Sequence, residues 1–397
     1  MRVLLSAVGT RGDVQPIVAL AVRVRELGHE VRLCVPPNFV AWAEGFGFEA
    51  HPVGVEMRLP SPRAGDAPAV PLTPEQIQKL RESMPDLITD QFEKVGAAAI
   101  GCDRLLGANA HQYAARSIAE RQGIPYVTAL YAPVAIPSPE LAPPPAPGEA
   151  WEPGANWERW EATFRAWNDR ALERVNSNRQ RLGLAPIDDV LRYNVTDHPW
   201  LAADATLGPA PAGLDVFETG AWILEDSEPL AREVTDFLEA GEPPIYVGFG
   251  SMPAPPGASR ALIEAARSAG RRVIVSQGWA DLGLVDAASD CLAVGDLNQQ
   301  ALFPRVAAVV HHGGAGTTAA AARAGVPQVV CPLFGDQFYW ASRVRELGIG
   351  TSVVGTLTAE ALALALDRAV TPRARSVARQ LRSDGAMVAA RRLVQAL

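Results

Sequence analysis

His311-His312-Gly313-Gly314-Ala315-Gly316-Thr317-Thr318 is the stretch whose reading decides the fold. It follows the apolar run Val306-Ala307-Ala308-Val309-Val310 and opens a small-residue helix over Ala319 to Ala324. A strand thus delivers a glycine-rich turn to a helix N-terminus, where unpaired backbone N–H groups and the helix dipole favour an anion. The glycines, Gly314 and Gly316 among them, allow close backbone approach, Ala315 lies between them with its backbone N–H, and His312 and Thr317 add side-chain donors. A diphosphate fits that description.

Three further segments extend the pattern. Gly250-Ser251 closes the strand-like run Ile245-Tyr246-Val247-Gly248-Phe249 and offers a second anion contact, or else only a tight turn. The surrounding Gly248-Phe249-Gly250-Ser251-Met252-Pro253 departs from the dinucleotide fingerprint, because Pro253 stands where the third glycine belongs. Asp336-Gln337 lies in the loop after Val329 to Pro332. A carboxylate beside a carboxamide supplies acceptors and donors to sugar hydroxyls, although Asp336 also suits a helix cap. Asp13, in Gly9-Thr10-Arg11-Gly12-Asp13-Val14-Gln15-Pro16, is a candidate general base, or a carboxylate that stabilises the following helix end. Thr10, Arg11 and Gly12 stand where they would reach the same diphosphate, or else Arg11 is a solvated charge.

The chain has 397 residues, so two domains are expected. The first half alternates strand and helix signals: Val3 to Val8, a helix over Pro16 to Leu27, Glu30 to Val35, a helix near Gln112 to Arg121, and Tyr126 to Leu130. A second series runs from Ile245 through Arg272 to Ser276, Cys291 to Val294, Ala307 to His311 and Gln328 to Cys331. This predicts an α/β protein of two doubly wound Rossmann-like domains facing across a cleft. The bounds are 1–205 for the first domain, 206–222 for a linker and 223–373 for the second. A last helix over 374–397 is free to cross back onto the first domain. The region from Pro133 to Pro153 is too rich in proline for regular structure.

Charge and cysteine usage exclude other classes. A formal net charge of −8 without a Lys/Arg block argues against nucleic acid. The four cysteines are scattered and form no CxxC pair, as in a reducing cytoplasm. No run approaches the length of a transmembrane helix, and no signal peptide is evident. Asp-x-Asp, His-Glu-x-x-His, Gly-x-Ser-x-Gly and the P-loop lysine motif are absent, so no metal and no cofactor are expected. Trp157, Trp160, Phe164 and Trp167 share a helical face that reads as packing or as the rim of a hydrophobic acceptor site.

From Thr196-Asp197-His198-Pro199-Trp200 onward the chain resembles the glycosyltransferases of vancomycin-type antibiotic pathways. The resemblance is carried by Glu218-Thr219-Gly220-Ala221-Trp222-Ile223-Leu224, Tyr246 to Ser251, Gly278-Trp279-Ala280, Arg305 to Thr318 and Arg323 to Gln328. The Arg11-Gly12-Asp13 loop also looks like that family. The resemblance implies the GT-B fold and a metal-independent, inverting transfer from a UDP- or dTDP-sugar to a hydrophobic small-molecule or peptide aglycone. It implies Asp13 as base, and Ser251, His312 and Gly314 to Thr317 on the diphosphate. It also places Asp336 and Gln337 on the sugar, with Trp279 and Leu297 among the remaining donor contacts. Val14-Gln15-Pro16 departs from the usual Thr-Glu-Pro and is similar to sterol and lipid glycosyltransferases. The stretch from Pro62 to about Arg192 matches only loosely. A sterol or lipid glycosyltransferase and a sugar-nucleotide epimerase are the alternatives.

Overall fold

The computed structural model describes residues 1–56, 86–145, 157–252, 254–255, 257–279, 282–369 and 371–395. The end of the Pro-rich stretch, 146–153, Pro253, Ala280 and the first part of the loosely matching stretch, 62–85, lie outside the described residues.

Short Val-, Leu- and Ile-rich runs become buried central strands of two parallel sheets, whereas edge strands such as Glu49–Pro52 and Gly350–Ser352 are partly exposed. The first sheet comprises β1 (Arg2–Ala7), β2 (Glu30–Val35), β3 (Glu49–Pro52), β4 (Arg104–Ala108), β5 (Tyr126–Leu130), β6 (Trp200–Leu201) and β7 (Phe217–Glu218). Its order is β3-β2-β1-β4-β5-β6-β7. The second sheet has β8 (Ile245–Gly248), β9 (Val273–Ser276), β10 (Cys291–Val294), β11 (Ala308–His311), β12 (Gln328–Val330) and β13 (Gly350–Ser352). Its order is β10-β9-β8-β11-β12-β13. In each sheet the strand order reverses once, between β1 and β4 and between β8 and β11. The register there pairs Ala7 with Ala108 and Gly248 with His311. Ligands of doubly wound sheets bind beyond the strand ends at such switch points.

Helix α1 runs over Arg11–Glu26, so it starts earlier than the apolar periodicity predicts, and Pro16 lies inside it rather than in its first turn. Helices α2 (Pro37–Glu44), α3 (Trp157–Arg181), α4 (Ala315–Ala324), α5 (Gln337–Glu346) and α6 (Gly385–Val394) complete what the site uses. Helix α4 likewise begins at Ala315, not Ala319. The segment read as a linker contributes β7 to the first sheet, pairing Trp200 with Phe217. The single last helix is instead two, Arg373–Ala378 and α6.

Three features tie the halves together. Ala386, Ala389, Ala390 and Leu393 of α6 are buried in the core of the first domain. Arg104 donates to the carbonyls of Leu393 (2.8 Å) and Gln395 (2.6 Å), which satisfies acceptors that a helix end leaves unpaired. A separate apolar cluster joins Leu130, Trp160, Phe164 and Leu201 of the first domain to Tyr339, Trp340 and Val344 of α5. Trp160 and Phe164 are therefore packed, and Trp160 Nε1 donates to the Leu141 carbonyl at 2.7 Å. Trp167 packs on His111 and Tyr113, whereas Trp157 is 45% exposed.

Candidate active site

The site is built at the two switch points. In the second domain, the first backbone bond of α4 is donated by Thr318 to the Gly314 carbonyl at 3.0 Å. The N–H groups of Ala315, Gly316 and Thr317 therefore have no partner within the helix, and they form the dipole's positive end. His312 lies beside them and is buried, and its Nδ1 has no partner among the described residues. A Cβ on Gly314 would lie 2.6 Å from His312 Nε2, so the ring and the turn are in close contact. A buried polar atom without a partner is costly unless a ligand supplies one. Burial, with His311 nearby, holds the His312 ring neutral by lowering its pKa to about 3.

His311 is a structural counterpart. Its Nδ1 accepts the Gly313 N–H at 3.1 Å and its Nε2 pairs with Gln328 Oε1 at 2.9 Å. Those bonds hold the strand end from which the turn departs. Beside it, Gly250 and Ser251 follow β8. The Gly250 carbonyl accepts the Trp279 N–H at 2.8 Å, linking the turn after β8 to the one after β9.

In the first domain Asp13 sits in the first turn of α1 and is both a cap and a cleft carboxylate. Its Oδ2 accepts the Thr10 N–H at 2.7 Å and the Thr10 hydroxyl at 3.3 Å. Asn109 Nδ2 donates to Oδ1, and the Tyr131 hydroxyl donates to the Asp13 backbone carbonyl at 3.0 Å. Gly9 has φ +145°, and a Cβ there would collide with Asp13 Oδ2. Burial pushes the Asp13 carboxyl up to about 6 against the pull of the Thr10 N–H, and the Asp336 carboxylate across the cleft adds to the rise. Such a group is a better base than an ordinary Asp, because its proton affinity is nearer the working pH.

The remaining sequence-predicted residues divide. Asp336 stands at the N-cap of α5 but makes no side-chain cap bond; its Oδ2 accepts from Trp340 Nε1 at 2.9 Å. Burial raises its pKa. Gln337 Oε1 is committed to its own loop, accepting the N–H groups of Leu333 (2.7 Å) and Phe334 (3.3 Å), which leaves its amide nitrogen as the side not used by that loop. Arg11 bridges the cleft to Asp296 at 2.9 Å, bonds Gln15 at 3.1 Å and lies over Trp42, rather than bonding the 312–317 turn. Leu297 packs in an apolar cluster, and Asn298 caps the helix Gln299–Leu302. Thr10 is occupied with Asp13, and Gly12 is exposed at the start of α1.

Sequence reasoning missed Asn109, Phe39 and Trp42. Phe39 stacks on Trp279 with ring centroids 6.1 Å apart. Asn109 was findable as the residue after β4, the strand beside β1 at the switch point. Among the described residues no group of three or more His, Cys, Asp or Glu side chains is placed to hold a metal ion, and no helix is long and apolar enough to cross a membrane.

This arrangement has known counterparts. Residues 3–137 match the Glycosyltransferase family 28 N-terminal domain, and 267–391 match the Erythromycin biosynthesis protein CIII-like, C-terminal domain. A solved glycosyltransferase of kitacinnamycin covers 98% of this chain and 97% of its own, at TM-score 0.71 and 20% identity. Another, VinC in complex with DTDP, covers 99% and 96% at TM-score 0.63 and 21% identity. The fold is GT-B, two Rossmann-like domains facing each other. The vancomycin aglycone glucosyltransferase of Amycolatopsis orientalis is 47% identical over 100% of this chain and 98% of its own length. The dTDP-epi-vancosaminyltransferase of the same organism is 42% identical, over 95% and 91%. The chain belongs to this family of vancomycin-type glycosyltransferases and is an enzyme of that class.

Proposed function

We propose that this enzyme transfers a hexose or deoxyhexose from a UDP- or dTDP-sugar to a hydroxyl of a glycopeptide-type antibiotic aglycone, with inversion and without a metal. The observation that carries this reading is the buried His312 ring, whose Nε2 side lies against Gly314 at the start of α4 and whose Nδ1 has no partner among the described residues, with Asp13 across the cleft. The diphosphate would take its hydrogen bonds from His312, from the N–H groups of Ala315 to Thr317 and from Ser251. Asp336 and the Gln337 amide would orient the sugar. The acceptor oxygen forms its bond to the anomeric carbon as the bond to the diphosphate breaks. The leaving oxygen departs with that electron pair, and the acceptor proton passes to Asp13. Attack from the face opposite the leaving group inverts the anomeric centre.

The reading of the aglycone follows the vancomycin aglycone glucosyltransferase at 47% identity, and that of a dTDP donor follows the dTDP-epi-vancosaminyltransferase at 42%. A sterol 3-beta-glucosyltransferase of Arabidopsis thaliana is 32% identical over 89% of this chain and 60% of its own length, which keeps a sterol acceptor as the second reading. The test is calorimetric titration with UDP and dTDP, with and without magnesium, followed by turnover on a glycopeptide aglycone and on a sterol in liposomes. Metal-independent binding of one nucleotide and transfer to the aglycone are expected. Binding of neither nucleotide, or binding only with magnesium, would remove the diphosphate assignment. Transfer to sterol alone would replace the acceptor class.

A further inference from the structure

We propose that Asn109 is a positioning residue for Asp13, holding one carboxylate oxygen so that a single lone pair of that oxygen is left to receive the acceptor's proton. The proposal rests on the reading of Asp13 as the base. Strands β1 and β4 are hydrogen-bonded neighbours, with Ala7 opposite Ala108, so the loops carrying Asp13 and Asn109 leave the sheet side by side. Asn109 has φ +66°, and among the described residues only Thr196 shares a positive φ outside glycine. Asn tolerates the left-handed region better than most residues, yet that backbone still costs free energy relative to an ordinary loop. The Asn109 N–H donates to the Ala129 carbonyl at 2.8 Å, which ties the strained residue to β5. The outcome of this geometry is the bond from Asn109 Nδ2 to Asp13 Oδ1.

Lone-pair bookkeeping gives that bond its meaning. An ionised carboxylate offers about four acceptor sites. The Thr10 N–H and hydroxyl both go to Oδ2, and the Asn109 amide takes one site on Oδ1. Among the described residues one site remains, on Oδ1. An amide donor is suited to the ionised form, so it also favours the state of Asp13 that accepts a proton. The other groups facing Asp13 are the Asp336 carboxylate across the cleft and the Tyr131 hydroxyl, which bonds its backbone carbonyl. The Arg11 guanidinium is engaged with Asp296 instead.

The test compares Asn109→Gly, Asn109→Ala, Asn109→Asp and Asp13→Asn by pH profiles of kcat, with nucleoside diphosphate affinity measured on each protein. Asn109→Gly suits a positive φ, so it removes the amide and leaves the backbone at ease. The expected result is unchanged diphosphate affinity, a kcat about 10- to 100-fold lower, and an acid limb displaced to higher pH. Asn109→Asp is expected to lose more at the same pH, because a second carboxylate opposes ionisation of Asp13. Asn109→Gly with wild-type kcat and an unmoved acid limb would overturn the proposal, even if Asn109→Ala misfolds. Full turnover by Asp13→Asn would instead remove the base assignment itself, which separates the two failures.

Discussion

Trp279 of the second domain lies stacked on Phe39 of the first, with ring planes 26° apart and centroids separated by 6.1 Å. The Trp279 N–H is held by the Gly250 carbonyl, so the stack couples helix α2 to the turn that precedes Ser251. Together with the Arg11–Asp296 pair it forms a latch on one side of the cleft. An aromatic pair is worth about 0.5–1.5 kcal/mol beyond its buried area. Phe39→Ala is expected to raise the donor KM roughly 2- to 10-fold while changing kcat less, measured by initial rates at saturating acceptor. An unaltered donor KM would show that the stack does not contribute to holding the cleft around the donor.

Asp13→Ala is expected to lower kcat by about 10²–10⁴ with donor affinity retained. The carboxyl titrates at about 6 because burial raises it. Below that pH it is protonated and cannot accept, so kcat should fall about tenfold per pH unit on the acid side. Wild-type rate profiles from pH 4.5 to 8 check this. A rate that stays level down to pH 4.5 contradicts a base with that titration.

His312→Ala is expected to weaken UDP or dTDP binding by about 10- to 100-fold, since a hydrogen bond to a charged group is lost. Calorimetry on the variant, with circular dichroism to confirm the fold, measures it. Equal affinity would return His312 to a packing role.

The two histidines also set a pH dependence of stability. Burial lowers His311 to about 4 and His312 to about 3. The unfolded rings bind protons near 6.5, so unfolding takes up protons between about 6.5 and those values. Their contribution is therefore present above 6.5 and lost as pH falls through that window. Asp13 acts in the opposite sense: its raised pKa favours the folded state at low pH, and that contribution is lost as pH rises through about 6. Urea denaturation at pH 7 and pH 5 is expected to show a loss that shrinks by roughly 2 kcal/mol in His311→Gln. The same loss in the variant would mean that His311 is not buried neutral.

Gly9→Ala is expected to reduce kcat by about 10-fold or more, because the new methyl group would displace the Asp13 carboxylate. Its effect on stability should be modest, about 1–2 kcal/mol from the unfavourable φ. Parallel measurement of kcat and of the denaturation midpoint separates the two effects. A variant that loses stability but keeps kcat would show that the carboxylate is not held by this contact.

Strands β2, β5 and β10 occur over the residues predicted for them, Glu30 to Val35, Tyr126 to Leu130 and Cys291 to Val294. A short run rich in β-branched and apolar residues between turn signals is a local pattern, which needs no knowledge of its neighbours. Helix starts were less legible. Arg11 to Asp13 and Ala315 to Thr317 carry no apolar periodicity, because these first turns present backbone and side chains to the cleft. The two-residue strands β6 and β7 are too short to show any period, and they exist only because β5 offers a paired edge.

The linear chain by itself determined the alternation of strands and helices, the glycine-rich turn at a helix start and the candidate carboxylates. Each of these depends on residues close together in sequence. Only the tertiary structure decided which oxygens of Asp13 are occupied, that Gln337 turns its carbonyl to its own loop and that Arg11 crosses the cleft to Asp296. Those outcomes join residues such as Asp13 to Asn109 and Arg11 to Asp296, far apart along the chain. Sheet order, not local pattern, brings their strand ends together, and the packing of the two domains sets what each side chain meets across the cleft.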